Sequence, residues 1–125
     1  MVELMTDMPP GTHGFRVSGD IEREDYEKVL VPELHKALAA GEGLRTLYVI
    51  DDLHKIEPAA LWADMKTTFD VGIRNREEWK RSAIVTDIEW MVRATKLFIW
   101  MIPGEARVYG LAELEEAKRW VAGGP

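Results

Sequence analysis

Two unbroken apolar runs, Leu47 to Ile50 and Ala83 to Val85, set the tightest bound on what this chain can fold into. A strand with one wet face alternates polar and apolar residues, whereas a strand apolar in succession is covered on both faces. Sheets covered on both faces are chiefly parallel sheets walled by helices. The stretch between the two runs is long enough for the crossover that parallel strands need. Leu44 to Ile50 is therefore predicted as the central strand, with Ser82 to Thr86 as a second buried strand.

The flanking patterns fill in the rest. Val2 to Met8 and Gly14 to Ser18 alternate, and Pro9-Pro10-Gly11 between them suits a tight connection, so an N-terminal β-hairpin is predicted. Ile21 to Ala40 spaces Tyr26, Leu30, Leu34 and Leu38 at helical intervals. Asp20, Glu22, Glu24 and Asp25 lie at its start, where the helix dipole favours acids. Pro32 has no N–H to donate and its ring crowds the preceding turn, which predicts a kink or a restart near Val31. Gly41-Glu42-Gly43 ends that helix. Pro58 can open a second helix carrying Leu61, Met65 and Phe69 in register with Trp62 beside them. Ile88 to Ile102 forms a third, stopped by Pro103-Gly104. Ala106 to Tyr109 is a short strand, and Leu111 to Val121 a closing helix with Leu114, Ala117, Lys118 and Val121 on one side. The expected architecture is α/β, a mixed β-sheet of about five strands (the hairpin plus parallel strands) packed by about four helices, in a single domain over residues 1–125.

Composition excludes several function classes. The chain has 125 residues, 46% of them hydrophobic, and no cysteine, so a core forms without disulfides, and zinc-thiolate sites and thiol chemistry are ruled out. A formal charge of -6 argues against general nucleic-acid binding. Basic residues nevertheless outnumber acidic ones between Lys66 and Lys96, which concentrates the acidity elsewhere. No apolar run reaches the roughly 20 residues that span a bilayer, since Glu89, Arg93 and Lys96 interrupt the most apolar region. The first ten residues fit neither a secretory signal nor a transit peptide. The expected location is the cytoplasm, with peripheral contact to the inner face of the membrane as an option.

Several residues recur together in an order met elsewhere: Gly19, Asp25-Tyr26, Pro32, the strand Leu47 to Asp51, Ala60-Leu61-Trp62 with Asp64, Ala83 to Val85, and Val108-Tyr109 with Ala117 and Trp120. In this the chain resembles the SpoIIAA-like branch of the STAS domain family over nearly its whole length. The resemblance implies a mixed sheet packed by helices, a bacterial or archaeal origin, and kinship with anti-sigma-factor antagonists and CRAL-TRIO lipid-binding domains. It implies no catalytic machinery and no cofactor. In the antagonists a phosphorylatable serine follows the central strand. Here that stretch, Asp51-Asp52-Leu53-His54-Lys55-Ile56-Glu57, holds neither Ser nor Thr. The branch is instead associated with binding an apolar ligand or a membrane surface through its helices.

The third helix is the first candidate site. At about 100° per residue, Trp90, Leu97 and Met101 share one face while Trp100 points well away from Leu97 and Phe98 stands about 100° from it, so one sheet cannot cover the whole set. Burial against a neighbouring helix or in an isologous homodimer would hide this surplus. An apolar or lipid-like small molecule would use it, held between Leu61, Trp62, Met65 and Phe69 on one wall and Trp90, Leu97, Phe98 and Met101 on the other. Arg93 and Lys96 flank the aromatics as at lipid interfaces. The second candidate is Asp51, Asp52, His54 and Glu57, which would hold a regulatory protein partner. These could also hold a hard divalent cation, but such acids more often solvate or cap a strand-to-helix loop. Gly41-Glu42-Gly43 precedes a strand, so it is a turn and no phosphate cradle.

Overall fold

The computed structural model describes residues 1–21, 23–41, 43–56, 79–101 and 104–124. Five strands form one sheet in the order β1-β2-β3-β4-β5: β1 (Val2–Leu4), β2 (His13–Ile21), β3 (Leu44–Ile56), β4 (Trp79–Thr86) and β5 (Glu105–Tyr109). Only β1 runs antiparallel, with Leu4 opposite Phe15; the remaining pairs are parallel. The mixed sheet read from the two apolar runs is thus present, with Leu44 to Ile50 at its centre.

The strand order dictates where the helices go. From β2 to β5 each strand is added on the same side of the last, and right-handed crossovers then place their helices on one face. That face carries α2 (Val31–Ala40), whose Leu34 and Ala37 pack with Phe15, Val17, Leu44, Ile50 and Trp79. Ile88 and Met91, at the start of α3 (Glu89–Phe98), pack against the same cluster. The alternate residues of the strands, Leu47, Val49, Ala83, Val85 and Tyr109, face the other way. They are covered by α4 (Leu114–Val121) through Ala117, Trp120 and Val121, and by Met5 and Met8 from the β1–β2 connection. Between the layers the buried Thr46 hydroxyl donates to that of Ser82 at 3.2 Å, so neighbouring polar side chains satisfy each other.

Three expectations are corrected in detail. The restart expected near Val31 is present, but the segment before it differs from the continuous α-helix predicted from Ile21. Strand β2 runs on to Ile21, a short helical turn α1 (Arg23–Asp25) follows, and a π-helical turn (Tyr26–Leu30) leads into α2. Pro32 explains the break, because without its N–H the carbonyl four residues back has no α-helical partner and the backbone widens by one residue. The hairpin connection is longer than a tight turn and spans residues 5–12. The segment Asp51 to Ile56, expected as a loop, continues β3. It pairs with Ser18 to Ile21 through two register shifts, one of them at Gly19, whose φ of 63° supplies the bulge. The predicted second helix, Pro58 to Phe69, lies outside the described residues.

Candidate functional site

The α3 segment is fixed at its start by local hydrogen bonds. The Ile88 N–H donates to Thr86 Oγ1 at 3.1 Å, and Asp87 Oδ1 accepts from the Leu111 N–H at 3.0 Å, tying this corner to the β5–α4 connection. Ile88 and Met91 turn toward the core, and Val92, Thr95 and Ile99 are half-buried. A 3-10 turn, Ile99–Met101, carries the helix on by three residues. Its opposite side is open, with Trp90 57% exposed, Leu97 65% and Trp100 77%. Glu89, Arg93 and Lys96 are exposed among them. At about 100° per residue these six positions fall in one arc of about 120°, a single outer face.

That face is unusual within the molecule. Among the described residues five large hydrophobic side chains are exposed, and three of them lie here, so the exposed apolar surface is concentrated. Trp90 and Leu97 share the face as the spacing predicted. Trp100, expected to point away, joins them. Arg93 is paired with Glu89 one turn back, which leaves Lys96 as the excess positive charge. The side chains of Phe98 and Met101, and the whole of Leu61, Trp62, Met65 and Phe69, lie outside the described residues.

The second candidate set is split. Asp51 is ion-paired with Arg16 of the adjacent strand, both partly exposed. Asp52 and His54 lie in the continued β3 backbone, their side chains outside the described residues, as is all of Glu57. Among the described residues no three His, Asp or Glu side chains gather as metal ligands. Beside Arg16 the connection from β1 is pinned to α4. Lys118 Nζ, on a residue 6% exposed, donates to Asp7 at 2.7 Å and lies 3.4 Å from Glu115. The hydrogen bond to Asp7 raises the Lys118 pKa although burial alone would lower it, and the same bond holds the Asp7 carboxyl below its usual value. Periodicity had placed Lys118 on the inner side of its helix. The partner 111 residues earlier left no local signal.

A further cluster escaped the sequence reading altogether. Arg81 and Arg107 both stack on Trp120, their guanidinium carbons 4.9 and 4.8 Å from the ring centroid. Arg45 donates to the Val121 carbonyl at 3.0 Å, and Arg81 to those of Trp120 and Gly124 at 2.6 and 2.7 Å. These arginines close the C-terminal end of α4, where bare carbonyls favour cations. Only the register of β3, β4 and β5 brings them together.

The model of the SpoIIAA-like family matches residues 12–122. Among solved structures, the crystal structure of a DUF3478-family protein with a SpoIIAA-like fold from Shewanella loihica PV-4 superposes with a TM-score of 0.67 at 27% identity. It covers 96% of this chain and 93% of that one. No functionally curated protein gives a significant match.

Proposed function

The chain belongs to the SpoIIAA-like family, and from that membership we propose that it is a non-enzymatic STAS-type module that binds an apolar or lipid-like ligand through the α3 region and docks reversibly on membrane surfaces. The observation that carries this reading is the outer face of α3, where two indoles and a leucine stand in water on a helix whose other side is anchored in the core. Each tryptophan offers up to roughly 200 Å² of side-chain surface, and at about 25 cal/mol/Å² covering half of what this face exposes is worth on the order of 5 kcal/mol. That is enough for reversible attachment. Lys96 adds attraction to anionic headgroups, while Arg93 is partly neutralised by Glu89. In this reading Leu61, Trp62, Met65 and Phe69 would form the second wall of the ligand site, with Phe98 and Met101 belonging to the first.

The reading that assigns Asp51, Asp52, His54 and Glu57 to a protein partner has less in its favour, since the Asp51 carboxylate is already engaged by Arg16. A homodimer through the α3 face is an outcome to test, because it would cover the same aromatics. The test is tryptophan emission during titration with anionic liposomes and, separately, with a long-chain fatty acid. A blue shift that weakens in Trp90→Ala supports the proposal. An unchanged spectrum from folded protein with every lipid, or a concentration-dependent dimer that alone accounts for the shift, overturns it.

A further inference from the structure

The arginine cluster at the C-terminal end of α4 lies away from the α3 face and is independent of the reading above. Three neighbouring parallel strands each present an arginine on the α4 side of the sheet: Arg45 stands opposite Arg81, Arg81 opposite Glu105, and Arg107 two residues further along β5. Arg45 and Arg81 are committed to the carbonyls of Val121, Trp120 and Gly124. Arg107 is exposed and stacked on Trp120, and among the described residues no carboxylate or carbonyl accepts a hydrogen bond from it. Stacking fixes the plane of a guanidinium and leaves its in-plane N–H groups free, which is the fork that grips phosphate or carboxylate oxygens in pairs. Among the described residues the ion pair in this cluster is that of Glu105, 3.7 Å from Arg81 Nε and largely exposed. In a chain of formal charge -6 this is a concentrated positive pole.

The geometry points to an oxyanion site built on Arg107, Arg81 and Arg45 around Trp120, selective for a multiply charged phosphate anion of the pyrophosphate class. Arg107 supplies the bidentate contact, and Trp120, 2% exposed, is the rigid platform that holds it. Arg81 and Arg45 add long-range attraction without giving up their carbonyl bonds. A single carboxylate carries too little charge to compete with the salt around it, whereas a pyrophosphate gains from all three guanidinium groups.

Titration with sodium pyrophosphate at constant ionic strength, followed by the ¹⁵N–¹H signal of the Trp120 indole and by calorimetry, tests this. A saturable shift of that signal, absent with acetate, is expected. Arg107→Gln should weaken binding by about ten-fold or more while lowering the melting temperature only slightly, because it loses one stacking contact on Trp120 and no helix-end hydrogen bond, and Arg107→Lys should fall between the two. Failure of pyrophosphate to saturate, an equal response to sodium chloride, or unchanged binding in Arg107→Gln overturns the proposal.

Discussion

At the scale of single residues, Lys118 and Asp7 give the sharpest expectations. Removing Asp7 leaves a buried ammonium with, among the described residues, only Glu115 paired to it, whereas removing the ammonium leaves a carboxylate that water can reach. Asp7→Asn should therefore lower the melting temperature more than Lys118→Met does. The pH dependence follows from the two shifts. The Asp7 pKa is depressed from 3.8, so its contribution is present above about that pH and is lost as acid protonates the folded state. The Lys118 pKa is raised from 10.5, so its contribution is present below about that pH and is lost as alkali deprotonates it. Denaturant unfolding across pH should show both losses in the wild type and neither from this pair in the Asp7→Asn, Lys118→Met double variant. A pair so distant in sequence was not legible beforehand; helical periodicity revealed only that Lys118 faces inward.

At the scale of elements, the strands were read best where both faces are buried. Leu47 to Ile50 and Ala83 to Val85 carry apolar residues to both layers, so their pattern has one meaning. The continuation of β3 through Asp51 to Ile56 was missed because four of its six residues are charged or polar, and it is a strand only because β2 offers a ladder beside it. Chain punctuation was similarly uneven. Pro32 announced its break, but the close approach at Gly104 was invisible. There φ is 74° and a Cβ would stand 2.5 Å from the Trp79 carbonyl oxygen. Gly104→Ala should cost about 2 kcal/mol or more of unfolding free energy, measured in urea, through both the left-handed backbone and the contact. On α3, Lys96→Glu should weaken attachment to anionic vesicles by about ten-fold or more while leaving uncharged vesicles less affected, as sedimentation with each would show.

At the scale of the whole molecule, the sheet order divides the structure into unlike faces. Adding each parallel strand on the same side sends the crossover helices α2 and α3 to one layer, and leaves the other to α4 and the methionines before β2. Sequence alone indicated that α3 has more apolar surface than one sheet can cover; it could not say which side would be left over. That depended on Ile88 and Met91 taking the core-facing positions, which put Trp90, Leu97 and Trp100 outward. Folding therefore supplies the surplus on which the binding proposal rests. The measurement that tests it most directly is the set of five tryptophan indole ¹⁵N–¹H signals, followed as anionic bicelles or a fatty acid are added. Saturable shifts at Trp90 and Trp100, with Trp79 and Trp120 unmoved in their buried positions, are the predicted result. Unmoved Trp90 and Trp100 signals at saturating lipid would contradict it.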